Sequence, residues 1–180
     1  MVPQARLALT ENGLVPQGEG WFVVNAREAR WWHSDAYGSA CYFEGDPEFP
    51  ELVFNVNVLW PAQSKGMYHG ENSQEDFLVL SGECLLLVEG EERTLNTWDF
   101  VHSPPCTEHV FIGVWPKPCI MLAIGARVEA RGLHGAVRFP VLELALEHGA
   151  GVVKETTSPQ QANVTWPPYT EGRYREGDLR

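Results

Sequence analysis

Residues 66–82 read Gly-Met-Tyr-His-Gly-Glu-Asn-Ser-Gln-Glu-Asp-Phe-Leu-Val-Leu-Ser-Gly, and this stretch decides the predicted fold. Successive side chains of a strand point to opposite faces, so His69 and Glu71 share one face. The Asn-Ser pair that follows can turn the chain, and a second strand then starts near Glu75. A hairpin in this stretch would therefore bring Glu75 close to His69 and Glu71.

A second chemically distinctive stretch comes further along the chain. Residues 98–109 end on His109, which begins a predicted strand just after a rigid Pro-Pro turn. Imidazole and carboxylate groups together suit a divalent transition metal such as Fe, Zn, Mn or Ni. Carboxylates on an apolar face are costly to bury without a counter-charge, which a divalent cation supplies. A solvated position on the outside of the sheet would remove that cost, and the residues alone leave both interpretations open.

Short apolar runs broken by turn residues fill the middle of the chain, which predicts an all-β antiparallel barrel or sandwich. The run 84–88 meets the run 93–95 across Glu-Gly-Glu-Glu, a good hairpin signal. These strands are apolar on both faces, which indicates that the outer faces are covered. The apolar residues on the face opposite to Phe77 and Val79 are Leu78, Leu80, Leu85 and Leu87. The cover could be a helix predicted over 139–149, the N-terminal strands or a second subunit.

The spacing of these residues resembles the cupin superfamily, whose first motif is G-x5-H-x-H-x3,4-E-x6-G and whose second is G-x5-P-x-G-x2-H-x3-N. The residues that match the two motifs are His69, Glu75, Gly82, Pro104 and His109. The resemblance implies a double-stranded β-helix, or jelly-roll, barrel. The sequence departs from the motifs at five positions. Gln63, Trp98 and Cys106 replace glycines, Glu71 replaces a histidine, and Gly113 replaces an asparagine.

The resemblance also implies a domain layout. We predict a single cupin domain over residues 1–180, with a barrel core at about 50–126. Residues 1–49 would form an N-terminal strand extension, and residues 129–180 a short C-terminal helix and tail. Many cupins are dimers, so a homodimer is expected.

Metal-binding cupins usually use three histidines and one glutamate. Carried over by position, the resemblance implies His69, Glu71, Glu75 and His109 as the ligands of a divalent transition metal. Glu71 replaces a histidine but keeps an atom that can bind metal, and it could instead act as a catalytic base. The remaining histidines are expected to be surface or structurally satisfied residues, namely His33, His102, His134 and His148.

Charge and composition exclude several classes of partner. The chain has 24 Asp and Glu against 13 Lys and Arg, a formal net charge of -11. Nucleic acid and anionic membranes need a basic surface, so neither is expected as a partner. The four cysteines form no C-x-x-C pair, and no signal peptide or apolar membrane span is evident. A cytoplasmic protein that binds a small molecule is the expectation.

Three hypotheses about function remain open on the sequence. The first is a metal-dependent enzyme of the oxygenase or isomerase/epimerase type, reactions that occur in similar cupins. The second is a non-catalytic cupin that binds or senses a small ligand in the same pocket. The third is a metal-free structural cupin, in which Glu71 marks a site that has lost its metal.

Overall fold

The computed structural model describes residues 1–114, 116–127, 136–163 and 168–179. Strands dominate these residues, and the helices are short, of five and four residues. The all-β prediction is confirmed, including strands in the N-terminal extension and a short C-terminal helix.

The strands and helices follow one another in this order along the chain. They are β1 (Arg6–Thr10), β2 (Gly13–Gln17), β3 (Trp31–Ser34), β4 (Gly38–Tyr42), β5 (Leu52–Leu59), β6 (Gly70–Glu71), β7 (Glu75–Ser81), β8 (Glu83–Val88), β9 (Glu91–Asn96), β10 (Phe100–Ser103), β11 (His109–Gly113), β12 (Cys119–Ala126), β13 (Val137–Arg138), α1 (Glu143–Glu147), α2 (Pro159–Ala162) and β14 (Thr170–Gly172).

Two antiparallel sheets enclose the core. The larger has seven strands in the order β10-β7-β12-β5-β4-β3-β14, and the smaller has the order β11-β8-β9. The side chains between them come from β5, β7 and β12 on one side and β8, β9 and β11 on the other. These buried core residues are Leu59, Phe77, Val79, Cys84, Leu86, Leu95, Phe111, Cys119, Met121 and Ala123. Alternation along each strand therefore directs one face of each sheet to a shared interior.

The outer faces of both sheets are covered by the chain itself. Helix α1 packs Ala145 against Leu87, Val110 and neighbouring residues on the outside of the smaller sheet. On the larger sheet, the outward-facing Val58 and Ile120 pack with residues of the N-terminal and C-terminal segments. Two of the covers predicted from the leucine pattern, the helix and the N-terminal segment, are thus found in the structure.

The predicted hairpin between β8 and β9 forms, but its turn is shorter than the four residues expected, because Glu91 and Glu92 belong to β9. Glu89 and Gly90 form a two-residue connection with φ of 49° and 80°, and Val88 pairs with Glu91 across it. Positive φ at both central residues is the twist-matched geometry of a type I′ hairpin.

The predicted helix over 139–149 is shorter than expected. Phe139 exchanges two backbone hydrogen bonds with Thr156, and Leu142 is still extended at φ −130° and ψ 120°, so α1 begins at Glu143. Pro140 disfavours a helical conformation at Phe139, the residue before it, which is consistent with the extended pairing there. The predicted stop is confirmed, since Gly149 follows the last turn at φ 70°.

The N-terminal strands extend the larger sheet beyond the barrel. β4 pairs with β5, β3 pairs with β4, and the C-terminal β14 adds to β3 as the edge strand. Within the described part of the chain, no helix has the length and apolar character that a membrane crossing requires.

Candidate metal centre

His69 and His109 are brought together by a short backbone bridge between their strands. Each donates its N–H to the carbonyl of the other, at 3.2 Å from His69 and 2.8 Å from His109, and their ring centroids lie 5.2 Å apart. Glu75 approaches from β7, whose inner face also carries Phe77 and Val79. The predicted hairpin does not form, because β6 pairs with β13 whereas β7 pairs with β10 and β12. The turn between residues 71 and 75 still brings Glu75 close to His69 and His109.

Three of the four residues expected to bind metal form a compact group, called here the His/Glu cluster: His69, Glu75 and His109. One ligand atom from each lies within 4.8 Å of the other two. The His109 Nε2 atom is 3.4 Å from Glu75 Oε2. Glu71 lies outside this group but adjoins it, with Oε1 3.5 Å from His69 Nε2.

Backbone carbonyls fix the orientation and the tautomer of both histidines. His69 donates Nδ1–H to the Met67 carbonyl at 2.7 Å, and His109 donates Nδ1–H to the Thr107 carbonyl at 3.0 Å. The Nε2 atom of each ring is thereby turned towards a carboxylate. This is the arrangement in which an imidazole serves as a metal ligand.

Burial differs sharply among the four side chains. His109 is only 3% exposed and Glu75 14%, whereas Glu71 is 40% exposed. The Phe77 and Phe111 rings surround His109, with centroids 5.4 and 5.8 Å from its ring. The arrangement therefore has a closed apolar floor at His109 and an open side at Glu71.

The electrostatics of the group follow from this burial. Burial raises the pKa of Glu75 and, together with the charge of His69, lowers the pKa of His109 to about 4. Hydrogen bonding from His69 lowers the pKa of Glu71 to about 2, with the Ser73 hydroxyl donating to its other oxygen. His109 is therefore neutral and Glu71 ionised at neutral pH.

Lys65 was missed by the sequence reasoning. Its Nζ atom lies 5.4 Å from the centroid of the Phe77 ring, and its charge lowers the pKa of both Glu71 and Glu75. Lys65 precedes the motif in a stretch without regular strand structure, so strand parity gave no indication of its direction.

Asn55 and Asn57 were also missed. Both are buried on the inner face of β5, where Asn57 Nδ2 donates to Asn55 Oδ1. Their alternation with the outward-facing Val56 and Val58 was a signal that could have placed them in the barrel interior.

The other histidines do not join the cluster. His33 is buried between the Ser39 hydroxyl and the Arg173 carbonyl, and burial lowers its pKa. His102 pairs with Asp76 and His148 with Glu92 at the surface, at 2.6 and 2.7 Å. His134 lies outside the described residues.

The backbone keeps the conformation of the second cupin-like motif at two of the positions where the residue differs. Trp98 and Cys106, which stand where the motif has glycine, adopt φ of 77° and 73°. Gly82, which matches the first motif, has φ 80°, and a Cβ there would lie 2.2 Å from the Pro118 carbonyl oxygen. The turns of the motif are thus retained, with strained residues in place of two glycines.

Residues 56–125 match the Cupin domain family. The chain contains a cupin domain. It is of the cupin-2 conserved-barrel type, and the match spans β5 to β12 with all four candidate ligands. A search of curated proteins found no match.

Solved structures are similar to this chain at low sequence identity. The polyketide cyclase RemF from Streptomyces resistomycificus is 15% identical, with a TM-score of 0.52, and the alignment covers 59% of this chain and 79% of that one. A cupin 2 conserved barrel domain protein from Salinispora arenicola is 22% identical over 51% of this chain and 76% of its own, with a TM-score of 0.46.

A putative sugar phosphate isomerase from Acidithiobacillus ferrooxidans is also similar, at 23% identity and a TM-score of 0.44. The alignment covers 48% of this chain and spans only 55% of that protein. At 15% identity, the likeness to RemF supports the fold alone and leaves the activity to be argued from the site.

Proposed function

We propose that the cupin domain binds a divalent transition metal through His69, Glu75 and His109 and acts as a metal-dependent enzyme on a small molecule. One observation carries the proposal. Each histidine commits its Nδ1–H to a backbone carbonyl, so His109 Nε2 faces Glu75 at 3.4 Å and His69 Nε2 faces Glu71 at 3.5 Å. Burial keeps His109 neutral, so its Nε2 lone pair faces the Glu75 oxygen, and a cation between these two donors would bind both.

The donor set fits such an ion. Two imidazole nitrogens and a carboxylate suit Fe, Zn, Mn or Ni and leave coordination positions open. Ligands that share one ion at roughly 2.0–2.2 Å are themselves about 3.0–3.4 Å apart. The separation of 3.4 Å between His109 Nε2 and Glu75 Oε2 is compatible with that range.

Glu71 is proposed as the fourth ligand rather than the catalytic base. Its oxygen adjoins His69 Nε2, so a small movement of the exposed side chain would bring it to a shared ion. The two roles that the sequence predicts for Glu71, metal ligand and catalytic base, can be distinguished by experiment.

The chain's own groups would position the small molecule beside the ion. A bound divalent metal would supply a Lewis acid that polarises a substrate oxygen. The Phe77 and Phe111 rings exclude water from the His109 side, and the Lys65 ammonium group adds a positive charge near the two carboxylates. The open side at Glu71 provides the route by which a substrate would enter.

Metal content is the direct test. Purified wild-type protein should hold close to one equivalent of a transition metal by elemental analysis. His109→Ala should lose at least 10-fold in metal affinity, because loss of a ligand removes its bond to the ion and leaves Glu75 unbalanced. The matched control is His102→Ala, which removes an exposed histidine outside the cluster and should keep the metal. Less than a tenth of an equivalent in wild type would favour the metal-free structural cupin.

Reaction class requires a separate measurement on metal-loaded protein. An oxygenase consumes dissolved O2 in proportion to substrate, whereas an isomerase or epimerase turns over without it. Candidate small molecules should therefore be compared under air and under anaerobic conditions. Full metal occupancy with saturable binding and no turnover would favour the non-catalytic binding or sensory cupin.

A further inference from the structure

A second cavity lies outside the cupin domain, where the N-terminal strands extend the larger sheet. Its volume is about 520 Å³, within the roughly 300–1,000 Å³ of typical small-molecule sites. All of the residues that line it fall outside 56–125, so the additional segments of this chain build it. We call it the aromatic cavity and define it by Arg30, Trp32, Tyr42, Glu44, Arg127 and Tyr169.

Aromatic side chains from three segments form its apolar walls. Trp32 pairs across the strands with Ala40, which is two residues from Tyr42, so the Trp32 and Tyr42 side chains lie on the same face of the sheet. Tyr169 joins them from just before β14, and its hydroxyl donates to the Tyr37 carbonyl at 3.1 Å. Flat, rigid walls of this kind favour a planar ligand that can stack on them.

The acidic groups of the cavity are committed to Arg127. The Arg127 guanidinium donates to both oxygens of Glu44 at 2.8 and 2.7 Å and contacts Glu48 at 2.9 Å. Glu44 also accepts the backbone N–H of Phe49 at 2.8 Å. The Glu44 carboxylate is therefore satisfied without Arg30.

Arg30 lines the cavity and retains unused hydrogen-bonding capacity. Among the described residues, its Nη2 makes one long hydrogen bond, 3.4 Å to the Glu44 carbonyl, and its Nη1 lies 3.8 Å from a Glu171 oxygen. Its Nε is buried with no hydrogen-bond partner there. The guanidinium lies 5.5 Å from the Trp32 ring centroid, so the cation and the aromatic wall are adjacent. A guanidinium with unused donors matches a carboxylate, which can accept two parallel hydrogen bonds.

We propose that the aromatic cavity binds a planar aromatic carboxylate, with the ring against Trp32 and Tyr42 and the carboxylate on Arg30. The site is separate from the His/Glu cluster and does not need a metal. It gives the segments outside the cupin domain a role as a ligand-binding surface in addition to covering the barrel.

Calorimetric titration of the full-length, chelator-treated protein tests this proposal. The probe is 1-naphthoate, and 1-naphthalenemethanol is the neutral control with the same ring system. We expect saturable 1:1 binding of the naphthoate and at least 10-fold weaker binding of the alcohol. Arg30→Gln should weaken naphthoate binding at least 10-fold and leave the alcohol unchanged. The matched control is Arg93→Gln, which removes an exposed arginine outside the cavity and should bind like wild type.

A second pair of variants tests the aromatic wall. Trp32→Leu should weaken both probes, whereas Trp32→Phe should retain most of the binding because it keeps a ring. The proposal is wrong if naphthoate fails to bind at millimolar concentration, if the alcohol binds equally well, or if Arg30→Gln has no effect. It is also wrong if His109→Ala abolishes naphthoate binding, because the probe would then sit at the cluster.

Discussion

At the residue scale, the chain keeps a positive-φ conformation at a position where the motif glycine has been replaced. Cys106 occupies a glycine position of the second motif, keeps φ at 73° and is exposed. A side chain in this left-handed region costs roughly 1–2 kcal/mol, which a glycine would relieve. The greater freedom of glycine in the unfolded chain offsets part of that stabilisation. The turn that precedes His109 is thus held in place by the surrounding strands despite the strain.

Replacing that residue by glycine should therefore stabilise the protein. We expect Cys106→Gly to raise the free energy of unfolding by about 0.5–1 kcal/mol, since the strain is removed and little packing is lost. Urea denaturation monitored by circular dichroism gives the value. Cys106→Ala is the matched control, because it removes the thiol and keeps the Cβ, and it should change the stability by less than half as much. A destabilised glycine variant would contradict the strain argument.

The buried neutral state of His109 predicts a pH dependence. Its pKa of about 4 in the folded protein lies below the ordinary 6.5 of an unfolded histidine, so only the unfolded state gains a proton between these values. The free energy of unfolding should therefore fall as the pH is lowered from about 6.5 to 4, by up to about 3 kcal/mol from this residue.

Denaturant titrations of chelator-treated protein at several pH values measure this effect. His109→Asn removes the titrating group, so the difference between wild type and variant isolates the His109 contribution from those of Glu71 and Glu75. An identical slope for the two proteins between pH 6.5 and 4 would show that His109 does not become charged on unfolding.

At the scale of elements, a helix of only five residues covers part of the outer face of the smaller sheet. The Ala145 side chain of α1 is fully buried against the outer face of the smaller sheet, where Val110 and Leu87 meet it. So short a helix is not stable alone, and its position comes from this contact. The apolar side chains on both faces of β8 indicated that such a cover exists. The sequence could not choose among the possible covers.

A charged residue at position 145 tests how much the packing of α1 stabilises the protein. We expect Ala145→Glu to lower the free energy of unfolding by about 3 kcal/mol, because it buries an unpaired carboxylate and lifts α1 from the sheet. Leu146→Glu places the same side chain at the neighbouring position, which is 36% exposed, and should cost under about 1 kcal/mol. Equal losses for the two variants, measured by thermal or urea unfolding, would contradict the packing assignment.

At the scale of the whole molecule, the chain covers its own sheets yet leaves apolar surface at one edge. Trp98 is 71% and Phe100 63% exposed, beside the edge strand β10 of the larger sheet. Exposed aromatic side chains at a sheet edge are features of association surfaces. The homodimer implied by the cupin resemblance therefore remains a prediction with a place on the surface to test.

Size-exclusion chromatography with light scattering decides the oligomeric state. We expect a mass near twice the 20.2 kDa of the chain. The double variant Trp98→Ser/Phe100→Ser should shift the mass towards the monomer if the edge forms the interface. A matched pair, Leu9→Ser/Val23→Ser, removes exposed apolar side chains elsewhere and should leave the dimer intact. A wild-type monomer at micromolar concentration would exclude the predicted dimer.

The sequence by itself determined the barrel, its strand spacing and the approach of His69, Glu75 and His109. It could do so because strand alternation and short turns are local rules, and the motif spacing lies within one barrel. Only the tertiary structure decided which histidine nitrogens face the carboxylates, where Lys65 lies, and how residues from 30 to 169 enclose the aromatic cavity. These depend on contacts between segments far apart in the chain, which no local periodicity encodes.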